Sequence, residues 1–262
     1  MKHLQLPAAL KEMLHGFNHE TVNMGDTEDI VTRFFAANGK QNEKTLFLKT
    51  GKLTPEAYRE RDMLLWLKGK LPVPDMLHWH ETDNTYYMLT TAAQGIMACS
   101  ERGLSAPEKD VLPALADGLL QFQNIDISDC PLESRLHQKL KTARYNAEHG
   151  LTDMYFFENN ERFPTPITLY EYLVANKPPE DLTLTHGDYC LPNIFIANQK
   201  AVGFIDMGRG GIADKYQDIA LCYRSLKYNT FDNVNENLFF ECLGIKPDWN
   251  KIDYYILLDE LF

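Results

Sequence analysis

One run of the chain, residues 184–209, limits the possible fold more than any other part of the sequence. Two apolar segments, Asn193–Ile196 and Ala201–Ile205, are separated by a short polar turn, which is the pattern of a β-hairpin. Antiparallel pairing brings Asn193, which opens the first strand, to the same end as Asp206, which follows the second. An amide oxygen and a carboxylate at one place suit Mg²⁺, which takes oxygen ligands and fills its remaining positions with water and phosphate. The hairpin therefore predicts a magnesium site.

A third polar residue of the same run, Asp188, precedes Asn193 by five positions. A carboxylate beside a metal-held phosphate can accept the proton of an attacking hydroxyl. The Asp-x-x-x-x-Asn spacing, followed by Asp206-Met-Gly208, is that of kinase catalytic loops. The alternative is a surface loop with a structural aspartate and a turn asparagine. We expect Asp188 to be the catalytic base, and His186 to hold the loop by hydrogen bonds without touching the substrate.

The early part of the chain supplies an independent pair of charged residues. Strand alternation puts Phe47 and Lys49 on one face, where an aromatic ring can cover an adenine and an ammonium can reach phosphates. In the following helix Glu60 shares a face with Leu64 and Leu67, and a carboxylate on an apolar stripe needs a cation. Lys49 is the predicted partner, although either residue by itself would be an ordinary surface charge.

The remaining pattern predicts an α+β fold of two lobes joined near residues 91–96. We expect a small antiparallel-sheet lobe over residues 1–93 and a larger, mainly helical lobe over residues 94–262, an arrangement like that of protein kinases. The predicted strands are Ile30–Phe35, Leu46–Lys49, Met76–His80 and Tyr86–Thr90. The predicted helices are Pro7–Gly16, Pro55–Leu67, Pro107–Asn124, Ser134–His149, Ile212–Tyr228, Val234–Leu243 and Lys251–Leu261. Proline-rich loops are expected around residues 163–166 and 177–180.

The charge of the chain argues against two classes of partner. Its 262 residues include 26 basic and 37 acidic side chains, a net charge of −11. Nucleic-acid binders and proteins drawn to anionic lipid usually carry the opposite sign. Residues 1–150 carry −3 and residues 151–262 carry −8. The excess in the second half is either a solvated acidic surface or a site for a cation, so small cationic molecules are the partners that fit best.

Cysteine usage and hydropathy favour the cytoplasm. The five cysteines are widely spread and form no Cys-x-x-Cys pair, which argues against a disulfide framework or a zinc site and for a reducing compartment. We expect Cys190, inside the catalytic loop, to pack rather than to act as a nucleophile. The sequence shows no signal-peptide run and no transmembrane run. No apolar excess forces an assembly, so we expect a monomer.

These motifs, together with further stretches of the chain, resemble the aminoglycoside 3′-phosphotransferases, the antibiotic kinases that inactivate kanamycin and neomycin. The His-Gly-Asp loop is shared with wider small-molecule kinases, whereas the last three matching stretches are more particular to this family. The stretches, nearly end to end, are Arg61-Asp-Met-Leu-Leu-Trp-Leu-Lys-Gly-Lys-Leu-Pro-Val-Pro, Asp126-Ile-Ser-Asp-Cys-Pro, His186-Gly-Asp-Tyr-Cys-Leu-Pro-Asn-Ile-Phe, Gly203-Phe-Ile-Asp-Met-Gly-Arg, Ala213-Asp-Lys-Tyr-Gln-Asp-Ile-Ala and Leu257-Leu-Asp-Glu-Leu-Phe.

The resemblance implies a role for each matching residue. Asp188 would be the catalytic base facing the sugar hydroxyl, and Asn193 and Asp206 would hold Mg²⁺. ATP is the implied nucleotide, with GTP left open. The residues implied at the nucleotide are Lys49 at the phosphates, Glu60 orienting it, Phe47 on the base, Thr91 and Ala93 at the base edge, and Thr27 in the phosphate-covering loop.

By the same resemblance, the antibiotic would lie on acidic residues of the second lobe. An aminoglycoside carries several ammonium groups, so a carboxylate-lined cleft would steer and hold it. The loop at residues 153–162 aligns loosely; Glu158 is the preferred contact there, with Glu161 and Asp153 as alternatives, and all three could be solvated charges. The implied substrate-binding residues are Glu158, Arg209, Asp259, Glu260 and Phe262 with its C-terminal carboxylate.

Further acidic residues lie outside these sets. Asp26, Glu28 and Asp29 make the phosphate-covering loop unusually acidic, and we expect them to point to solvent. The negative charges are unfavourable next to phosphate, so they argue against a phosphate contact of Thr27 in the same loop. Asp214 and Asp218 follow the hairpin, and we expect them to anchor the catalytic loop rather than to contact the substrate.

Two other functions are compatible with parts of this pattern. A related kinase could act on another small alcohol, such as choline, a macrolide or a ketosamine, but a neutral substrate would not need the acidic C-terminal Asp-Glu-Leu-Phe. A non-catalytic nucleotide-binding scaffold would usually have lost the base, a metal ligand or the lysine, and all are present here. The expected reaction is transfer of the γ-phosphoryl group of ATP to the 3′-hydroxyl of an aminoglycoside by in-line attack.

Overall fold

The computed structural model shows an antiparallel-sheet lobe followed by a mainly helical lobe, the α+β architecture expected from the sequence. The residues that it describes are 6–22, 29–36, 45–152, 157, 162–230 and 235–262. Within those ranges, no helix combines the length and the apolar composition that crossing a membrane requires. All five cysteines lie inside the same ranges and are free thiols.

The first lobe is built on one five-stranded antiparallel sheet, in the spatial order β1-β2-β3-β5-β4. The four predicted strands are present, each slightly longer than predicted. The outer strand β1 was not predicted, because its middle residues are polar and exposed and give no apolar alternation. The strands are β1 Phe17–Val22, β2 Ile30–Ala36, β3 Leu46–Lys52, β4 Met76–Thr82 and β5 Thr85–Thr91.

The side chains of strand β3 alternate between the two faces of this sheet. Leu46 and Leu48 are buried against a small cluster that includes Leu10 of helix α1, Ala8–Met13. Phe47 and Lys49 alternate with them and are half-buried on the opposite face. Helix α2 runs over Pro55–Leu67 as predicted, with the Thr54 side chain accepting a hydrogen bond from the first turn.

The second lobe combines helices with two small antiparallel sheets, one in the order β6-β8-β9 and one of β7 and β10. Its helices are α3 Glu101–Leu104, α4 Glu108–Gln123, α5 Leu136–His149, α6 Pro166–Ala175, α7 Tyr216–Thr230, α8 Glu236–Leu243 and α9 Trp249–Asp259. Its strands are β6 Ile96–Met97, β7 Leu182–Thr185, β8 Ile194–Ala197, β9 Lys200–Phe204 and β10 Gly211–Asp214. Strand β6 pairs with β8, so the chain has entered the second lobe by Ile96. The predicted boundary between residues 93 and 94 stays a prediction.

Helix α4 is mostly buried in the second lobe and packs directly against the segment of residues 184–209. The Phe122 ring lies 4.9 Å from the Phe204 ring, and the Tyr189 hydroxyl donates a hydrogen bond of 2.8 Å to the Leu115 carbonyl. Gly118 makes this contact possible, because a Cβ there would overlap the Tyr189 hydroxyl. The run from β7 to β9 is therefore held against a buried helix.

The predicted helix Ile212–Tyr228 is wrong in its first residues. Gly211–Asp214 is strand β10, which pairs antiparallel with β7, and helix α7 begins only at Tyr216. The Asp214 side chain accepts the Tyr216 backbone N–H at 3.0 Å and so separates the strand from the helix. Because the apolar residues continue from one element into the next, the sequence pattern does not distinguish a four-residue strand from the first helical turn.

A second difference lies at the end of the first expected proline-rich loop, residues 163–166. Helix α6, which was not predicted, begins there at Pro166, and the Thr165 side chain accepts a hydrogen bond from the Thr168 backbone. Proline is favoured at the first helical position, where its missing N–H needs no partner. The proline therefore starts a helix rather than excluding one.

Candidate active site

The loop after strand β7 is fixed by His186, which is fully buried. Its Nε2 lies 2.9 Å from the Ile205 carbonyl oxygen, and its Nδ1 accepts the Asp188 backbone N–H at 3.3 Å. With Nδ1 as an acceptor, Nε2 is the ring nitrogen that donates to the Ile205 carbonyl. His186 ties the loop to strand β9, which is the structural role expected for it.

Asp218, from helix α7, holds the same loop from below. Its two carboxylate oxygens accept the backbone N–H groups of His186, at 2.6 Å, and Gly187, at 2.9 Å. Gly187 has a positive φ of 85°, and a Cβ at this position would overlap the Arg209 carbonyl. Asp218 is therefore an anchor of the loop, and Gly187 is required both for its backbone conformation and for the close approach.

The Asp188 carboxylate is held by two donors, one on each oxygen. The Asn193 amide nitrogen donates to Oδ2 at 2.9 Å and also to the Asp188 carbonyl at 3.0 Å. The Cys190 thiol donates to Oδ1 at 3.1 Å. Burial and the adjacent Asp188 raise the pKa of the Cys190 thiol well above its usual value, so Cys190 stays a protonated donor and is no nucleophile.

Asn193 and Asp206 lie at the same end of the β8–β9 hairpin, as the sequence predicts. The Ile205 backbone N–H donates to the Asn193 carbonyl at 3.1 Å, next to Asp206. Asp206 has a positive φ of 62°, an uncommon backbone conformation for a residue with a side chain, and its side chain is 40% exposed. The first strand begins one residue later than predicted, at Ile194, because Asn193 lies in a short 3₁₀ turn.

The donor set of this hairpin fits Mg²⁺. Because the amide nitrogen of Asn193 is used on Asp188, its amide oxygen is left for a cation beside the Asp206 carboxylate. Magnesium is usually held by one or two protein oxygens together with waters and phosphates. The described ranges contain no group of three or more histidines, cysteines or acids that could hold another metal. Asn193 and Asp206 thus remain the proposed ligands.

Lys49 connects this hairpin with the first lobe. Its ammonium lies 2.9 Å from Glu60 Oε2 and 3.0 Å from Asp206 Oδ1, and Glu60 is buried on α2 as its apolar stripe predicts. Burial by itself lowers the pKa of Lys49, but the carboxylates of Glu60 and Asp206 outweigh it and raise the pKa above its ordinary value. The charged ammonium is therefore stable in this half-buried position.

Asp29 does not point to solvent, which corrects the expectation from the sequence. Its Oδ2 accepts a hydrogen bond of 2.6 Å from the Tyr86 hydroxyl and lies 3.8 Å from the Lys49 ammonium. The sequence offers no local signal for this, because Tyr86 stands on strand β5 and is distant in the chain.

The connector between the lobes borders the same cleft. The Thr91 backbone N–H donates a hydrogen bond of 3.0 Å to the Asp75 carbonyl. The Thr91 hydroxyl oxygen accepts a hydrogen bond of 2.9 Å from the Asp75 backbone N–H. Ala93 is half-buried beside Gly203, where a Cβ would crowd the Ala93 methyl. Phe47 faces the same side of the sheet as Lys49. Contacts of these residues with a nucleotide base stay a prediction.

Arg59 was missed by the sequence analysis and ties the lobes together with several hydrogen bonds. From helix α2 its guanidinium donates to the Gly208 carbonyl at 3.1 Å and the Gly210 carbonyl at 2.7 Å. It also donates to the Ser134 hydroxyl at 2.7 Å. All three acceptors are at least 75 positions away in the chain, and two of them are backbone groups, so no spacing pattern could reveal them. Arg59 fixes the segment that follows Asp206.

Asp259 is nearly buried and is paired with two arginines. Its Oδ1 accepts from Arg209 at 2.7 Å and its Oδ2 from Arg224 at 2.5 Å. Burial opposes the charged carboxylate, but Arg209 and Arg224 overcome this and lower the pKa of Asp259 to about 2. Both oxygens are thus already engaged, and the structure gives Asp259 an anchoring function for Arg209. A direct contact between Asp259 and substrate stays a prediction.

Phe262 is held beside this cluster. Its ring contacts two cations, with Arg209 at 5.2 Å and Lys139 at 5.4 Å from the ring centroid. The Asn146 side chain donates to the Leu261 carbonyl at 2.8 Å. Burial and the neighbouring Arg209 lower the pKa of Lys139 to about 8. These contacts fix the end of the chain next to the catalytic loop.

The other predicted substrate residues divide into two groups. Glu260 is half-buried next to the Asp259 cluster. Thr27 and Glu158 lie outside the described residues, as do the alternatives Glu161 and Asp153.

The assembled geometry can position two substrates of opposite charge. The Lys49 ammonium contacts Asp206, and the proposed metal ligand Asn193 contacts the half-buried Asp188 carboxylate. Arg209, whose pKa Asp259 and Asp188 raise against the effect of burial, links this group to Asp259 and Phe262. Such an arrangement can orient a hydroxyl, accept its proton and neutralise phosphate oxygens, which is most of what phosphoryl transfer needs.

Comparison with known proteins gives consistent matches. Residues 31–254 match the phosphotransferase enzyme family. The chain is 44% identical over 213 residues to an aminoglycoside 3′-phosphotransferase of Enterococcus faecalis, covering 80% of each chain. Its fold is similar to the crystal structure of an aminoglycoside 3′-phosphotransferase of type VIII, with TM-score 0.81, 25% identity and 97% of each chain covered. It is also similar to the phosphotransferase APH(3″)-Id of Streptomyces rimosus in complex with ADP and streptomycin, with TM-score 0.78, 25% identity and coverage of 96% and 95%.

Proposed function

Since the chain belongs to the phosphotransferase enzyme family, we propose that it transfers the γ-phosphoryl group of ATP to the 3′-hydroxyl of aminoglycosides such as kanamycin and neomycin. The transfer would inactivate the antibiotic and confer resistance on the cell. The relative from Enterococcus faecalis bears the name of this activity, and the Streptomyces rimosus enzyme holds ADP, which supports an adenine nucleotide as donor.

The observation that carries the proposal is the position of Asp188. Its Oδ2 accepts the Asn193 amide at 2.9 Å, while the amide oxygen of Asn193 is left for the metal site with Asp206. A carboxylate this close to a metal ligand lies within reach of a hydroxyl that approaches the terminal phosphate. Asp188 is therefore placed to act on the alcohol hydroxyl next to the terminal phosphate of the nucleotide.

In the proposed reaction Asp188 orients the antibiotic hydroxyl and accepts its proton as the oxygen attacks the γ-phosphorus. The new bond joins the sugar oxygen to phosphorus, and the bond between the γ-phosphorus and the β–γ bridging oxygen breaks to release ADP. Lys49, oriented by Glu60 and Asp206, holds phosphate oxygens of the nucleotide. Catalysis rests mainly on positioning and on neutralisation of charge.

Mg²⁺ is the proposed metal, and Asn193 and Asp206 would hold it. When bound, it neutralises phosphate oxygens and helps to orient them. Asp206 is preorganised for this by its positive φ and by its hydrogen bond to Lys49. Arg59 holds the following backbone at Gly208.

A polycationic acceptor fits the charge of the second half of the chain, residues 151–262, which carries −8. We propose that Glu260, the C-terminal carboxylate of Phe262 and an acid of the 153–161 loop, with Glu158 preferred, contact the ammonium groups. Arg209 shapes this pocket through its contacts with Asp259 and the Phe262 ring. The proposal includes a monomer in the cytoplasm, where ATP is present and free thiols persist.

The test is incubation of the purified protein with Mg²⁺–ATP and kanamycin, with ADP release and the phosphorylated position determined by NMR. Phosphate on the 3′-oxygen, and loss of turnover in an Asp188→Asn variant, would support the proposal. Turnover of choline, a macrolide or a ketosamine, with none of kanamycin or neomycin, would replace it by the related-kinase function.

A further inference from the structure

The ammonium of Lys49 faces three carboxylates. Two of them have clear tasks, because Glu60 orients Lys49 from the buried side and Asp206 stands at the proposed metal site. The third, Asp29, lies 3.8 Å from the Lys49 ammonium and has no task in the reaction. Its side chain is 23% exposed, so it borders the cleft rather than the core.

Asp29 is held in this position by a slot built from neighbouring residues of two strands. Tyr86 on β5 is directly opposite Gly51 on β3 in the sheet register. The Tyr86 hydroxyl donates to Asp29 Oδ2 at 2.6 Å, and a Cβ at Gly51 would overlap Asp29 Oδ1. One residue thus supplies the donor and the other supplies the space. The carboxylate sits there through specific contacts, not by chance at a surface.

The donor hydroxyl is a stable part of this slot. Tyr86 is fully buried, and burial raises the pKa of its phenol well above the ordinary value. The Tyr86 hydroxyl therefore keeps its proton and donates a hydrogen bond of 2.6 Å to Asp29 Oδ2, with the Lys49 ammonium 3.8 Å away.

A negative charge at this position opposes nucleotide binding. The phosphates of ATP are anionic and require the Lys49 ammonium, whereas Asp29 already shares that ammonium and repels other anions at short range. We propose that Asp29 is a nucleotide-affinity determinant, which competes with the phosphate groups for Lys49 and weakens their binding. This inference rests on the proposed nucleotide role of Lys49 and does not depend on which alcohol is phosphorylated.

The isosteric variant Asp29→Asn tests the proposal. Asparagine keeps an acceptor for the Tyr86 hydroxyl and fits the space at Gly51, but it removes the charge. Titration calorimetry without any antibiotic should show Mg²⁺–ATP and Mg²⁺–ADP binding about tenfold tighter than in the wild type. Adenosine, which has no phosphate, should bind equally to both proteins.

A second variant, Tyr86→Phe, tests the slot itself. Loss of the hydroxyl releases Asp29, so that phosphates displace it more easily and nucleotide affinity rises by less than in Asp29→Asn. In the double variant the Tyr86 change should add nothing further, because it acts only through Asp29.

Asp83→Asn is the matched control for a change of charge. Asp83 lies in the β4–β5 turn, is exposed and already has a positive φ, which asparagine tolerates. Asp83 lies before the first residue of β5, Thr85, and Thr85 is about 10 Å along the strand from Met88, which pairs with Lys49. That separation exceeds the screening length at physiological salt, so nucleotide affinity should not change.

Unchanged nucleotide affinity in Asp29→Asn would overturn the proposal. Weaker binding of Mg²⁺–ATP in this variant would also overturn it, because the carboxylate would then help to hold the metal. If wild-type protein binds nucleotide but phosphorylates no aminoglycoside, the proposed function fails while the Asp29 result still stands. If neither wild type nor variant binds nucleotide, both proposals fail.

Discussion

Lys49 and Asp206 are 157 positions apart in the chain, and their side chains meet at 3.0 Å. One belongs to the sheet of the first lobe and the other follows the hairpin of the second, so the contact links the two lobes. Glu60 holds the same ammonium from helix α2, and Arg59, the residue before it, holds the backbone that follows Asp206. Two adjacent residues of one helix thus align the nucleotide half of the site with the catalytic half.

Replacement of Asp188 should separate chemistry from binding. Asp188→Asn keeps the size of the side chain and an acceptor for the Asn193 amide, but it cannot take a proton. We expect kcat to fall by about 10²–10⁴-fold, with the dissociation constant for Mg²⁺–ADP within twofold of the wild type. Steady-state kinetics and calorimetry on the same preparation measure both. Turnover near the wild-type level would remove Asp188 from the mechanism.

Gly187 should tolerate no side chain. In Gly187→Ala the new Cβ overlaps the Arg209 carbonyl and must also adopt a positive φ. We expect a loss of at least about 3 kcal/mol in the free energy of unfolding, or loss of turnover where the protein still folds. Gly69→Ala is the matched control, because Gly69 also has a positive φ but no atom near the added Cβ. It should cost only about 1 kcal/mol, and equal losses in both variants would contradict the close-approach argument.

The pairing of Asp259 predicts a pH-dependent contribution to stability. Its pKa is lowered to about 2 in the folded protein, so the contribution is complete above the ordinary aspartate value. It is lost as the pH falls from there toward 2. Asp259→Asn should lower the free energy of unfolding by about 3 kcal/mol at pH 7, and the difference should shrink between pH 4 and the acid limit of folding. Denaturant unfolding at a series of pH values measures it.

Asp253→Asn provides the control for that experiment. Asp253 pairs with Arg162 at 2.7 Å, but both side chains are about half exposed, so the loss should stay below about 1 kcal/mol. A difference between wild type and Asp259→Asn that does not vary with pH would mean that the ion pairs with Arg209 and Arg224 do not account for the effect.

The end of the chain should act on the antibiotic and not on the nucleotide. Deletion of Phe262 removes the ring held by Arg209 and Lys139 and displaces the terminal carboxylate. We expect KM for kanamycin to rise about tenfold, because the antibiotic loses a charged hydrogen bond worth about 1.5 kcal/mol. KM for ATP should stay within twofold. Phe262→Leu keeps the carboxylate and loses the aromatic ring, so its effect should be intermediate. An unchanged antibiotic KM in the deletion would contradict a role for the terminal carboxylate.

Local patterns in the sequence predicted the parts of the site that depend on short spacing. The hairpin places Asn193 next to Asp206 because both flank apolar strands, and the apolar stripe of α2 identified Glu60 as a residue in need of a cation. Arg59 could not be found in this way. Two of its acceptors, the backbone carbonyls of Gly208 and Gly210, carry no side-chain signal, and only the tertiary fold brings them to Arg59.

Acidic residues were harder to assign, because a sequence shows a charge but not its partner. Asp259, which is expected to contact a cationic substrate, pairs with Arg209 and Arg224 through its two oxygens, and its contact with substrate stays a prediction. Asp29 was expected to face solvent, yet the Tyr86 hydroxyl binds it. In both cases the partner lies at least 35 positions away, beyond the reach of helical or strand periodicity. Asp218, expected to be an anchor, does hold the catalytic loop.

The most direct measurement of the central claim is ADP release with Mg²⁺–ATP in the presence of kanamycin or of tobramycin, which lacks the 3′-hydroxyl. A kinase with Asp188 directed at that hydroxyl should turn over kanamycin and leave tobramycin unmodified, although tobramycin should still bind as a competitive inhibitor. Equal turnover of both would contradict the 3′ assignment. Turnover of neither, by protein that binds ATP, would contradict the aminoglycoside kinase itself.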